Sequence, residues 1–471
     1  MLLYGRIPAF GKGIPDLASG SMNPLERRAV ALLASLYALR MFGLFLILPV
    51  FALYATGLGG HAPLLVGTAI GIYGLTQALL GIPFGMASDR LGRKPVIIVG
   101  LLIFALGSVL AATASHIWMV IVGRAIQGAG AIPAVVMAMV ADLTREEQRS
   151  KAMAMIGMTI GASFVLSLIF GPVLDGWIGV PGIFWLTAVL ALAGVAVVMF
   201  GLPTPVRREH DGAHNLREEF GRILRDNQLL RLDAGVFVLH LAMTALFVVL
   251  PADIVQTMGL ARAEHWKVYV PIMLAGFVGM LPALIYANRK RATRPVFAAA
   301  LLVLIAAEAV FLFAVDTRAG ILLGLLLFFL SFNLLEAMLP SLISRLAPSE
   351  SKGAAIGVFS TSQFLGVFAG GELAGVLLQR GFGASGVFLA VAGLAALWLL
   401  LVATMREPEF LASRQIRVRA GDAQEADRLA RELAAVPGVA EAIVIAEEGI
   451  AYLKVDPRAL DPKRLKAFSV S

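Results

Sequence analysis

Residues 64–88 read LLVGTAIGIYGLTQALLGIPFGMAS, and residues 89–94, which follow at once, read DRLGRK. None of the first 25 residues is charged, and four of the next six are. An α-helix rises 1.5 Å per residue, so the apolar stretch reaches about 37 Å, enough to cross the roughly 30 Å hydrocarbon core of a bilayer. The abrupt change to basic residues marks one water boundary of that crossing. This stretch is a membrane-spanning helix that ends in a charged loop.

The same pattern recurs along the chain. The 471 residues are 59% hydrophobic and 15% charged, with a mean hydropathy of +0.85. Soluble domains carry roughly 45–50% apolar and about 25% charged residues, so the bilayer is the solvent here. Further apolar runs lie near Ala29–Tyr54, Pro95–Thr113, Ile117–Ala141, Ala152–Leu174 and Gly182–Leu202. Beyond a polar stretch come Arg231–Gln256, Trp266–Ala287, Pro295–Val315, Gly320–Arg345, Gly353–Leu378 and Ser385–Met405. The expected organisation is an extension without periodic pattern over 1–28, a six-helix bundle over 29–202, a linker over 203–230, a second bundle over 231–405 and a small domain over 412–471. The extension holds no apolar stretch of signal-peptide length, and Met22 is an alternative start.

Net charge is +8 with a pI near 9.9. The basic residues sit in short loops between apolar runs, which is a topology signal and not a nucleic-acid footprint. One set of loops carries Arg90, Arg93, Lys94, Arg145, Arg149, Lys151, Arg289, Lys290, Arg291, Arg294, Arg345 and Lys352. The alternating set carries only Arg262, Lys267, Arg318 and Arg380. The rich side is cytoplasmic, so both termini and the central linker are expected inside an inner membrane. There is no cysteine, which excludes disulfides, iron–sulfur clusters and thiolate zinc sites. His210 and His214 have ligand spacing but no third ligand of matching context, so no metal is expected.

The two halves resemble each other. Leu44–Pro49 (LFLILP) matches Leu246–Pro251 (LFVVLP), and Pro83 stands before Asp89-Arg90 as Pro282 stands before Asn288-Arg289. Gly171-Pro172 with Gly176 is echoed by Gly370-Gly371 with Gly375. Such a parallel repeat suits a transporter with substrate bound between halves. After Met405 the composition changes. Gln415–Arg419 alternates as a strand, Asp422–Val436 is amphipathic, Val439–Ala446 and Ile450–Asp456 flank a turn, and Pro462–Phe468 begins a helix. This βαββα order predicts a compact ferredoxin-like module.

Gly85-Met86-Ala87-Ser88-Asp89-Arg90-Leu91-Gly92-Arg93-Lys94 has a glycine for close helix contact, a second for a tight turn, and an acid–base pair at i, i+4. An exposed pair of that kind is worth only about 0.3–0.5 kcal/mol, so it needs further partners to act as a gate. The segment resembles the signature loop of the major facilitator superfamily, and the resemblance extends over about Ala29–Met405. It implies twelve transmembrane helices in two pseudo-symmetric bundles, alternating access, and a conformational gate of Gly85, Asp89, Arg90, Gly92, Arg93 and Lys94 with Asp142. It also implies that Asp89 faces the start of the eleventh helix near Gly353. Asn288 replaces the acid in the second copy, which leaves a gate there in doubt.

Arg124-Ala125-Ile126-Gln127-Gly128 resembles a motif of proton-coupled members. An arginine at membrane depth costs roughly 2.5–3.5 kcal/mol on insertion scales, so Arg124 and Arg40 should each face an aqueous cavity or a partner. Gly157, Gly161, Gly171, Pro172 and Gly176 resemble the packing motif of antiporters, with Ser167 and Asp175 standing where that motif has glycine. Asn333 and Glu336 lie at mid-depth of the tenth run, where a charged carboxylate is costly and a proton-exchanging one is useful. Gln127, Asn333 and Glu336 with the two arginines are the substrate and proton-coupling candidates. Asp253, Glu308 and Glu372 rank lower, His240 is ambiguous, and Gln77 and Gln363 are either cavity polars or interhelical glue.

The resemblance is nearest to the drug:proton antiporter branch. It implies a monomer that exchanges protons for a small, largely apolar compound, driven by the proton gradient with no cofactor and no enzymatic step. Uptake of a sugar-like solute and a transporter-like sensor remain open at this stage, while the lack of a Walker loop argues against an ATP-driven pump. Alkaline phosphatase fused after Pro205 and after Pro408 should be inactive in cells. High periplasmic activity from either fusion would overturn the topology.

Overall fold

The computed structural model describes residues 22–204, 216–347, 352–405, 412–419, 421–446, 449–456 and 459–468. Residues 1–21 and the pair His210 and His214 lie outside them. The first half runs through α1 (Pro24–Phe45), α2 (Leu48–Ala55), α3 (Pro63–Leu91), α4 (Arg93–Ala112), α5 (Ile117–Ala129), α6 (Pro133–Leu143) and α7 (Glu146–Ala196). The second follows as α8 (Leu216–Ile223), α9 (Asn227–Asp253), α10 (Trp266–Lys290), α11 (Thr293–Ala314), α12 (Arg318–Leu346), α13 (Lys352–Gln379) and α14 (Gly383–Ala403).

Eleven helical stretches among the described residues are long and apolar enough to cross a membrane. One of them, Lys151–Gly201, holds 51 residues, about 76 Å of helix and more than twice a bilayer's core. Gly179 breaks it with φ 67°, two residues before Pro181. It is therefore two crossings, which makes the expected twelve. Large side chains such as Trp177, Phe200 and Phe313 are about four-fifths exposed, as lipid contact allows and water would not.

Helix boundaries depart from the apolar runs where polar caps decide them. α1 starts at Pro24 and not at Ala29, because Asn23 and Glu26 form a reciprocal capping box at 2.8 and 2.9 Å. Glu26 is also buried against Arg145, whose backbone N–H and guanidinium donate to it at 2.8 to 3.1 Å. The ninth helix starts at Asn227 and not Arg231, capped by Asp226, and α8 occupies part of the expected linker.

The chain divides into two compact units. The first holds α1–α7 together with Leu260–Val270, the segment between the seventh and eighth crossings. Its core joins Val30, Leu33 and Leu36 of α1 to Val96, Ile97 and Leu101 of α4 and to Val136 and Val140 of α6. Two of its helices are interrupted, α1–α2 at Leu46-Ile47 and α5–α6 at Gly130–Ile132.

In the second unit α9 is the central element, buried on nearly every side, as expected of a helix apolar all round. α13 lies against it where a Cβ on Gly366 or Gly370 would stand 2.2 Å from the Phe237 carbonyl or 2.3 Å from that of Leu241. Small residues set this close approach. The first unit has the same device, where a Cβ on Gly171 of α7 would stand 2.4 Å from the Leu46 carbonyl.

The C-terminal module consists of β1 (Ala412–Arg417), α15 (Ala423–Ala434), β2 (Val439–Ile445), β3 (Ile450–Val455) and α16 (Pro462–Lys466). The strands are antiparallel in the order β1-β3-β2. Ala451, Leu453 and Val455 alternate along β3 onto one face and pack with Leu433, Val436 and Leu465. The observed βαββα order is the expected one.

Candidate functional site

The loop between α3 and α4 is built on Gly92, whose φ of 92° only glycine adopts readily. It turns the chain so that Arg93 starts α4 beneath the end of α3. Arg93 donates to Asp89 at 2.5 Å, to Asp142 at 2.8 Å and to Ser88 at 2.6 Å. Asp89 is 62% exposed and Arg93 17%, so the guanidinium is the hub and the carboxylate of Asp89 is presented outward. Arg90 is exposed and Lys94 half-buried at the same end. Asp89, Arg93 and Asp142 are thus brought together, while Gly85 has open space where a Cβ would stand.

Arg40 and Arg124 prove to be interior residues, 4% and 1% exposed. Arg40 donates to Gln77 at 2.6 Å and to the Gly130 carbonyl at 2.9 Å, at the break between α5 and α6. Arg124 donates to Gln127 at 2.9 Å, and Gln127 donates to Ser108 at 2.7 Å. Both guanidinium groups lie over the Tyr73 ring, at 5.7 and 5.0 Å from its centre. The partners expected of membrane arginines are present, and they are neutral. These residues tie helices of the first unit together.

The antiporter-like segment of α7 divides in two. Gly171 packs on α2's entry as described, and a Cβ on Gly176 would stand 3.0 Å from that of Ala263. Gly157 and Gly161 are exposed, with nothing within 4 Å of a Cβ. Both departures from the motif acquire reasons. Ser167 is buried and donates to the carbonyls of Ser163 and Phe42 at 2.6 and 3.1 Å. Asp175, with a side chain 2% exposed, receives two donors from Arg262, whose guanidinium also lies 6.0 Å from the Tyr54 ring centre. Tyr269, near the start of the eighth crossing, is fully buried.

A second polar site lies inside the second unit. His240 of α9 is 5% exposed. Its Nδ1 lies 3.1 Å from the Val236 carbonyl, which can only accept, so Nδ1 carries a proton. Its Nε2 stands 2.7 Å from the Gln363 amide of α13 and 3.9 Å from the Glu336 carboxylate of α12. Glu336 Oε2 and Asn333 Nδ2 are buried without a hydrogen-bond partner, and Phe332 packs edge-on against the imidazole at 6.0 Å. Glu336 therefore has a titratable companion that sequence reasoning left ambiguous. The signal was a histidine within an otherwise apolar run, but only packing shows which helices it faces. Asp233, passed over in the sequence, and Glu308 are also buried with unpartnered carboxylate oxygens.

A family model described as Major Facilitator Superfamily matches residues 33–371. The chain is 44% identical over 440 residues to the inner membrane transport protein YajR of Escherichia coli, covering 93% of this chain and 96% of that one. A tetracycline resistance protein, class B, of Escherichia coli is 36% identical over 138 residues, 28% of this chain and 33% of its own. Among solved structures, the human organic anion transporter MFSD10 (TETRAN) aligns with a TM-score of 0.60 at 22% identity, over 81% of this chain and 100% of its own. That likeness speaks to the fold alone.

The Asp175–Arg262 pair makes an asymmetric prediction. Removing the arginine strands a buried carboxylate, a loss of about 3–5 kcal/mol. Removing the charge of Asp175 leaves an arginine that is 31% exposed and reaches water. Thermal unfolding in detergent should therefore place Arg262→Gln well below Asp175→Asn. The reverse order would show that the pair is not what holds this segment.

Proposed function

We propose that this chain, which belongs to the Major Facilitator Superfamily, exports a small, largely apolar compound in exchange for protons, with Glu336 and His240 holding the exchanged proton. Family, near full-length similarity to an inner membrane transport protein and the apolar spans make it an integral inner membrane transporter and not an enzyme. The observation that carries the finer reading is the Glu336–His240–Gln363 cluster. In the neutral state Gln363 donates to His240 Nε2. When the imidazole gains a proton, Nε2–H turns from acceptor to donor, and a carboxylate 3.9 Å away is the group it is placed to meet. An amide can turn over to follow either state. Charge at this depth is costly unless paired, so the site favours one shared proton or a closed ion pair over a lone charge. A compound that competes for the cluster would displace the proton, which is the requirement for exchange. Local similarity to a tetracycline resistance protein supports export over uptake.

Thermal-shift screening of the purified protein against a compound library supplies a transported probe. In proteoliposomes Glu336→Gln should abolish transport of that probe driven by a pH gradient and retain its exchange at equal pH. Gradient-driven transport unchanged from wild type would remove Glu336 from proton coupling and direct attention to Asp253 or Glu308.

The α3–α4 loop is read as a latch that engages in one conformation only. A contact of about 1–2 kcal/mol made in one state corresponds to a population ratio of roughly 5- to 30-fold. Asp89→Asn should shift the balance toward the inward-open state by that factor. Spin labels on the cytoplasmic ends of α3 and α13 read the populations, and the absence of native cysteine leaves no background labelling. Identical distance distributions in wild type and variant would refute the latch.

A further inference from the structure

The internal repeat pairs Pro83 with Pro282, Asp89 with Asn288, and Gly92 with Arg291. In the first half the glycine takes a positive φ of 92° to end α3. At the corresponding point Arg291 takes φ 56°, and among the described residues it is the only non-glycine residue with positive φ. The Ala292 N–H closes back on the Ala287 carbonyl at 3.0 Å, the helix-ending bond that normally has glycine in the left-handed position. A side chain with a Cβ is disfavoured there. The outlier asks what the arginine does that a glycine would not.

Its side chain answers. Arg291 Nη2 donates to Asp456 at 3.0 Å, at the end of β3 in the C-terminal module. Three residues on, Arg294 donates to the carbonyl of Ala403, the last residue of α14. One loop thus holds both the end of the last membrane helix and the domain that follows it. Asn288, where the first half has the gate's acid, spends its amide on the Leu284 carbonyl of its own helix at 3.0 Å. The first loop closes its charges with acids of its own half, Asp89 and Asp142. The second loop has lost its acid and meets one from the appended module.

We propose that the α10–α11 loop is the docking site of the chain's own C-terminal module. Asp456 supplies the carboxylate, and Arg291 is held in a glycine's conformation to present its guanidinium to it. The inference stands apart from the proton-coupling reading. Loop, α14 and module belong to one compact unit, so the docked module travels with the second half. The pair is partly exposed, at 25% and 35%, and such pairs are weakened by salt. Docking is reversible, as a regulatory attachment needs.

The test places spin labels at Asn288→Cys and Arg428→Cys, both exposed positions, in the full-length protein in detergent. Wild type should give one narrow distance peak at low ionic strength that broadens at high salt. Arg291→Gly and Asp456→Asn should each lose the narrow peak at low salt, and Arg291→Lys should keep it. Arg291→Gly relieves the backbone, so its unfolding temperature should not fall, which separates lost docking from lost folding. A wild-type peak retained in either Arg291→Gly or Asp456→Asn overturns the proposal. So does a peak that vanishes when labelled protein is diluted with unlabelled, because the contact would then lie between copies.

Discussion

Hydrocarbon offers no hydrogen-bond partner, so each backbone N–H and C=O that leaves a helix inside the bilayer must be met by the protein itself. The breaks in this chain are legible in those terms. The gap between α5 and α6 takes the Gly130 carbonyl out of the helical pattern, and the Ile132 N–H and Arg40 both donate to it. Along α1, the Phe42 carbonyl takes a second donor from Ser167 of α7, and the Leu46 carbonyl sits against Gly171, which has no side chain to block the approach. The two buried arginines belong to this economy of satisfied groups. Each is expensive alone, and each is held by amide and carbonyl oxygens in place of acids.

The same constraint sorts the charges that remain. Pairs at the water boundary, such as Arg93 with Asp89 and Asp142, stay partly exposed. Pairs that reach inward, such as Asp175 with Arg262, bury the acid and leave the base its route to water. The Glu336–His240 pair is a third kind. Both members lie within one unit, and the Gln363 amide stands on the imidazole between them.

The two halves began from one pattern and have been put to different uses. Their helix contacts are parallel, with α7 on α1 and α13 on α9 joined at glycine against carbonyl. Their loops are not. The first keeps glycine at the turn and its acids at home. The second has an arginine in the glycine's conformation and an acid that arrives from beyond the last helix.

The sequence by itself determined the solvent, the number of crossings, the repeat and the βαββα order of the tail. These rest on local quantities: twenty-odd apolar residues, a basic loop, alternation along a strand. It also paired Asp89 with Arg93, because their spacing across one turn and one helix end settles that they meet. It misplaced the start of α1 and of α9, since caps by Asn23 and Asp226 outweigh the apolar count. It could not tell that Arg40 meets the Gly130 carbonyl, that Arg124 lies over the Tyr73 ring, or that His240 stands beside Glu336. Those facts depend on the rotation of each helix about its axis, and in lipid that rotation is chosen by packing and hydrogen-bonding partners far away in sequence. An all-round apolar helix such as α9 carries no stripe to announce its facing side, so only the tertiary structure could decide it.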